Sequence, residues 1–264
     1  FISKSVRYLL EIHINFEYFW GSNLIGGLQT KLMTKPVITV FRNKSDATKG
    51  SALFPSTYLY NTCEQPRKKY NDQMINDKRT ANSNRVLFMG RLVNQKNPLA
   101  LIEIASKVRS EINDFQLDIY GDGELHSLLK ERIKERNLKN CIHLKGFTDD
   151  KSVYSNYKLL WVTSLFEGFG LVIIEAASNS VPTITTNWGP AVNEVVKNKE
   201  TGFICNSLED FATKSIELLK DSEMRAAFSE NAKNMYKTTF SAETHKQRWI
   251  QLIDTYFPES HARS

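Results

Sequence analysis

A chain of 264 residues, 41% of them hydrophobic, is long enough for one large or two small domains and apolar enough to bury a core. No apolar run approaches the ~18 residues that a membrane-spanning helix needs; the longest, residues 159–166, is broken by Thr163 and Ser164. The formal charge of +6 is a modest basic excess, and with no RNA- or DNA-reading motif beside it a nucleic-acid binder is excluded.

Taken in chain order, residues 5–20 are rich in apolar and aromatic side chains and read as a buried helix or strand. His13 within them has no surrounding motif and reads as structural. Residues 35–41 predict a strand, 42–51 a polar loop and 56–61 a short strand. Residues 65–84 are charged, without apolar period, and read as a linker. This first third carries the whole charge excess: residues 1–84 hold 12 Lys and Arg against 6 Asp and Glu, while 85–264 hold 23 of each. A basic face there fits peripheral contact with an anionic membrane surface as well as it fits a solvated Lys-rich surface. The chain opens on Phe1 rather than Met and reads as N-terminally incomplete.

From Arg85 the texture changes. Residues 85–89 predict a strand; Asn97 as cap and Pro98 at the first helical position predict a helix with Leu99, Ile102, Ala105, Val108 and Ile112 on its apolar stripe. Strands follow at 116–120, 141–144, 159–163, 181–185 and 202–205. They alternate with helices at 124–136, 150–157, 169–178, 191–196, 208–219 and 223–236. That alternation predicts an α/β fold with a parallel sheet covered on both faces, whose ligands bind beyond the carboxyl ends of the strands. A last helix starts at Ser241 and carries Trp249, Leu252, Ile253, Tyr256 and Phe257 as a face that must pack on something. Cys63, Cys141 and Cys205 are odd in number, with no metal spacing between them, and read as reduced thiols; no metal site is expected.

Three strand-end loops carry the chemistry. The first, residues 90–97, places Arg91 and Lys96 beside Gly90, where a ligand can approach the backbone and two cations can compensate a diphosphate; taken alone, such a string is more often surface charge. The second holds Gly121 and Gly123. It lacks the third glycine of a dinucleotide fingerprint and follows the second strand rather than the first, so a nicotinamide or flavin site is rejected; a tight turn and a turn bordering a nucleotide both remain open. The third, residues 164–176, holds Glu167, Gly168, Phe169, Gly170, Leu171 and Glu175. Its glycines bare the first N–H groups of a helix, an anion site. Glu167 and Glu175 lie eight residues apart, ~12 Å along a helix axis, too far for the ~5–9.5 Å of a glycosidase carboxylate pair. The spacing suits the two ends of a nucleotide sugar, with Glu167 at the hexose and Glu175 at the ribose. It suits equally an amphipathic helix with an acidic cap.

In this order, Gly90-Arg91-Leu92 with Gln95-Lys96-Asn97, Gly121-Asp122-Gly123, Gly146-Phe147, and Glu167-Gly168-Phe169-Gly170-Leu171 ending in Glu175-Ala176 resemble retaining glycosyltransferases of family 4. These belong to the glycosyl transferases group 1 superfamily, with two Rossmann-like domains in the GT-B arrangement. The resemblance covers roughly residues 85–240 and continues through Pro182, Thr185-Thr186, Gly189, Glu194-Val195-Val196 and Gly202-Phe203. It implies that Arg91 and Lys96 hold the donor diphosphate, that Glu167 touches the donor sugar, that backbone N–H groups from Gly168 to Leu171 meet sugar and phosphate, and that Glu175 binds ribose. It further implies a UDP- or GDP-sugar donor, no other cofactor, and a glycan or lipid-linked acceptor in surface polysaccharide or lipopolysaccharide synthesis. The expected place is the cytoplasm, with peripheral contact at the inner face of the membrane. Residues 1–84 are then the remnant of an N-terminal acceptor-side domain plus linker, 85–240 the nucleotide-sugar domain, and 241–257 a helix crossing back. Ser180, Pro190 and Lys199 stand where the family more often has glycine. Two other readings stay in view: a non-catalytic nucleotide-sugar-binding partner subunit, and an epimerase of the same architecture.

Overall fold

The structure, a computed structural model, describes residues 9–12, 38–51, 56–63 and 84–256. His13 and most of the 5–20 and 65–84 segments lie outside them, as does Phe257; of the first segment, Leu9–Ile12 is a strand (β1). It pairs in parallel with β2 (Ile38–Phe41), which pairs in parallel with β3 (Ser56–Tyr58). Between β2 and β3 the expected loop is instead a helix, α1 (Lys44–Gly50). Its start was legible in principle: Asn43 caps it by accepting the Asp46 N–H at 2.7 Å. What misleads is the lack of an apolar stripe, because α1 fills its inner positions with Asp46 and Ala47 rather than large apolar groups.

The second sheet has six parallel strands in the order β6-β5-β4-β7-β8-β9, where β4 is Asn84–Met89, β5 Phe115–Tyr120, β6 Ile142–Gly146, β7 Leu159–Val162, β8 Thr183–Thr186 and β9 Gly202–Cys205. Strand order reverses between β4 and β7, so the loops after these two strands diverge and leave the crevice in which ligands of such sheets sit. Helices α2 (Ala100–Glu111), α3 (His126–Glu135) and α6 (Leu208–Lys220) cover one face, over a core that includes Val86, Phe115 and Trp161. The other face packs α4 (Leu171–Ser178), the four-residue α5 (Val192–Val195) and part of α7 (Ser222–Met235) around Leu87, Tyr154 and Leu160. Cys141 and Cys205 are buried, Cys63 is half-buried, and all three are free thiols.

Asn97 and Pro98 do not start α2. Asn97 takes a left-handed conformation (φ 47°) that ends a 3-10 turn at Asn94–Lys96, and α2 begins three residues later, at Ala100. Asn tolerates this conformation better than most residues. The turn also aims the Lys96 and Asn97 carbonyls at Thr163, whose hydroxyl donates to them at 2.9 and 3.0 Å. At the other end, Ser241 caps α8 (Ala242–Tyr256) as expected, accepting the Thr244 N–H at 3.2 Å. Leu252, with Trp249 and Tyr256, packs on Val40 and Leu59 of the first sheet's unit; Ile253, expected on the same face, is 37% exposed. Among the described residues no helix is long and apolar enough to cross a membrane.

Two of the three positions lacking the family's usual glycine are left-handed, Ser180 at φ 62° and Lys199 at φ 67°. For an L-residue this costs ~1–2 kcal/mol, partly offset by the greater chain entropy a glycine loses on folding. Ser180→Gly is therefore expected to stabilise the fold by about 0.5–1 kcal/mol and to raise the melting temperature by roughly 1–4 °C, read by calorimetry. An unchanged or lower melting temperature would mean that the serine side chain compensates its strain.

Candidate active site

The loops after β4 and β7 are stitched together at the switch point. The Leu165 N–H donates to the Gln95 carbonyl at 2.9 Å, and the Gln95 side-chain amide donates to the Phe166 carbonyl at 3.0 Å. Inside that zipper Lys96 Nζ lies 2.5 Å from Glu167 Oε1, and the same oxygen accepts the Ser164 hydroxyl at 2.6 Å. The Ser164 carbonyl in turn accepts the Thr186 hydroxyl, at the end of β8, at 2.6 Å. Glu167 is 6% exposed, so its carboxylate is held by a cation and a hydroxyl rather than by water. Arg91 is exposed on the same loop, with its guanidinium 3.4 Å from Gln95 Oε1. The structure thus gathers Arg91, Lys96 and Glu167 around one loop pair. Lys96, expected at a diphosphate, and Glu167, expected at a sugar, are immediate neighbours.

Next to them α4 begins. Gly170 is left-handed (φ 84°), and no side chain caps the helix start. Leu171, its first residue, is 46% exposed, so the opening turn faces outward beside Glu167. The helix starts two residues later than expected because Gly170 breaks the helical path. Phe169 turns its ring inward, stacking on Tyr60 at 5.9 Å and meeting Phe240 edge-on at 5.9 Å. The Phe169 ring is thereby a packing element. The Gly168 carbonyl accepts the Asn43 side-chain amide at 3.0 Å.

Glu175 lies about one turn along α4 with partners of its own. Its carboxylate accepts the Tyr154 hydroxyl at 2.7 Å and pairs with Lys151 at 3.0 Å. Tyr154 is fully buried, and burial first, then the Glu175 charge, push its phenol well above the usual range. The Cys63 thiol is pushed up to about 11, by burial first and the same carboxylate second. Glu175 thus stands at the edge of the core, between Tyr154 and Lys151. Its orientation comes from the 3-10 helix Lys151–Asn156, which sequence reasoning did not connect with it because contact across 21 residues leaves no periodic signal.

Gly121 and Gly123 have a different surrounding. At φ 143° and 154° they turn the chain so that a Cβ on Gly121 would stand 1.9 Å from the Gly90 carbonyl oxygen, and one on Gly123 2.6 Å from that of Leu92. The bare side of each glycine faces the neighbouring loop. The contact is completed by Leu92 N–H to the Asp122 carbonyl at 2.8 Å and Leu125 N–H to the Leu92 carbonyl at 2.9 Å. Over Gly90 itself runs the Lys96 stem, about where a Cβ would make ordinary contact at 3.8 Å. Away from these loops, a shallow depression along β5 and β6 is lined by Arg85, Gln116, Asp118, His143 and Lys145. Asp118 there is already held by Arg85 and Tyr157. Among the described residues no three His, Cys, Asp or Glu side chains gather as a metal site requires.

Solved structures share this architecture. A Staphylococcus aureus TarM variant, in complex with fondaparinux, alpha-GlcNAc-glycerol and UDP, superposes with a TM-score of 0.78 at 21% identity over 95% of this chain and 51% of its own. Anabaena HepE in complex with UDP and glucose gives a TM-score of 0.80 at 19% identity over 94% and 72%. Likeness at this identity shows the GT-B-type α/β fold. By sequence, the chain is 31% identical over 175 residues to the poly(glycerol-phosphate) alpha-glucosyltransferase of Bacillus subtilis, covering 64% of this chain and 26% of that protein. It is 26% identical over 170 residues to the poly(ribitol-phosphate) alpha-N-acetylglucosaminyltransferase of Staphylococcus aureus, covering 63% and 34%. The aligned part is thus about a quarter to a third of these two relatives. The family model described as glycosyl transferases group 1 matches residues 71–235, more than half of the sequence, and the chain belongs to that family.

Proposed function

We propose that this chain carries the donor-binding part of a retaining, family 4 type glycosyltransferase that moves a hexose from a nucleotide-diphosphate sugar onto a glycan or lipid-linked acceptor of a cell-surface polymer. The observation that carries the reading is the Lys96–Glu167–Ser164 cluster beside the uncapped start of α4, at the point where strand order reverses. A departing diphosphate gains negative charge as the glycosidic bond breaks. Two cations, Arg91 and Lys96, and the helix start stabilise that charge, and Glu167 contacts the sugar hydroxyls. Glu175 takes the ribose. An acceptor that attacks on the face the leaving group vacates needs no protein nucleophile, which accords with retention. UDP is the favoured nucleotide because TarM and HepE, whose fold this chain shares, were each solved with UDP. Residues 85–240 form the donor-binding unit and the first sheet belongs to the acceptor side. The proposed place is the cytoplasmic face of the membrane.

The test is a thermal-shift panel of nucleoside diphosphates and nucleotide sugars. A specific ligand at a hundred times its dissociation constant is expected to stabilise the chain by about 2.7 kcal/mol. Tyr154→Phe, which frees one oxygen of Glu175, is expected to weaken that ligand roughly tenfold. No stabilisation by any member of the panel refutes the reading. Binding without transfer to any acceptor favours the partner-subunit alternative, and epimerised nucleotide sugar favours the isomerase.

A further inference from the structure

The link between the two sheets' units converges on a carboxylate that the donor reading does not use. Glu194, on α5 after β8, accepts the backbone N–H groups of Lys44 at 2.7 Å and Ser45 at 2.9 Å, the first two residues of α1. These partners are 150 and 149 residues away in sequence. Both amides belong to the set at a helix start that the helix itself leaves unsatisfied, where a negative charge is favoured. One residue earlier, the Asn43 side chain does two things. Its oxygen caps α1, and its amide donates both to the Asp46 carboxylate at 2.9 Å and to the Gly168 carbonyl at 3.0 Å. Asn43 is 1% exposed, so this bridge has no water to replace it. Tyr60, whose ring lies against Phe169 and Phe240, has its phenol pushed up by burial first and by the Glu194 charge second, which places that charge at the same seam. The carboxylate that pins α1 and the asparagine that holds the donor loop are therefore joined through a single helix start.

We propose that Glu194 is a positioning residue. It pins the start of α1, so that Asn43 keeps the 163–170 loop in register and the first sheet's unit stays seated over the donor site. The consequence for turnover rests on the transferase reading above, whereas the consequence for the loop does not.

The link can be cut from either side. Glu194→Gln keeps the volume but presents an N–H group where an oxygen accepted one. Lys44→Pro deletes a donor at the first helical position, where proline is tolerated, and Asn43 already has the extended backbone (φ −145°, ψ 160°) that a following proline demands. Amide hydrogen exchange on the whole chain is the first readout. Each variant is expected to speed exchange in residues 45–47 and also in the 166–170 loop, with α7 unchanged. The double variant is expected to match the worse single one, because both cuts break the same link. The second readout is transfer: kcat/KM for the acceptor is expected to fall about tenfold, and UDP, whose proposed contacts lie on the loop that Asn43 holds, is expected to bind less tightly by a smaller factor. Exchange in the 166–170 loop that stays at the wild-type rate, or single-variant effects that add, overturns the proposal. So does acceptor kcat/KM that stays unchanged when α1 loosens. If wild-type protein transfers nothing at all, the transferase reading fails, and the exchange data alone decide on Glu194.

Discussion

Lys96→Ala is expected to lower turnover by roughly 100-fold, the usual loss when one donor to developing negative charge is removed from a preorganised site. Two effects act together. On the proposed reading a departing diphosphate loses a cation, and Glu167, 6% exposed, loses the ammonium 2.5 Å away and keeps the Ser164 hydroxyl. A buried carboxylate without its cation is costly, so the melting temperature should fall as well. Lys96→Arg separates the two effects: a broad planar guanidinium restores charge but not the point contact with Glu167, and is expected to recover stability more than rate. Initial rates and scanning calorimetry on both variants check this. Wild-type turnover in the alanine variant would remove Lys96 from the reaction.

Gly121→Ala is expected to be the most damaging single methyl addition among these loops. Its Cβ would stand 1.9 Å from the Gly90 carbonyl oxygen, on a backbone at φ 143° that L-residues rarely adopt. The obstacle is backbone, and it is held in place: the Gly90 N–H donates to the Tyr120 carbonyl at 3.0 Å and the Gly121 N–H to the Gly146 carbonyl at 2.8 Å. The loops after β4, β5 and β6 must therefore separate. The expected loss is about 3 kcal/mol, or roughly 6–12 °C in melting temperature, and it should appear without any ligand present. A variant that keeps its stability and loses only nucleotide binding would instead assign Gly121 to ligand contact.

The parallel six-stranded sheet was legible from Arg85 onward because its strands are short apolar runs separated by amphipathic helices, a pattern that burial on both faces imposes. The neighbours of the candidate residues were not legible. Lys96 and Glu167 stand in different loops of the sequence, and nothing in their spacing says that the ammonium of one lies on the carboxylate of the other. Tyr154 reads as an ordinary core aromatic until its hydroxyl is seen on Glu175. The 42–51 segment escaped because α1 is polar, and its stability comes from caps: Asn43 from within and Glu194 from the far unit. The glycines at 121 and 123 read as a tight turn or as a turn bordering a nucleotide. What approaches in the structure is the chain's own backbone, a distinction that no local pattern encodes.

The packing of Leu252 on Val40 and Leu59 has a bearing on the order of assembly. Val40 and Leu59 precede the six-stranded sheet in sequence and α8 follows it, so during synthesis these two side chains gain this cover only after residues 242–256 have emerged. The central six-stranded unit needs no such wait and can form as its own segments emerge. The six-stranded unit is thus expected to form before Val40 and Leu59 are covered by Leu252. A nascent chain halted before α8 would leave Val40 and Leu59 without this cover, open to capture by chaperones or by other nascent chains.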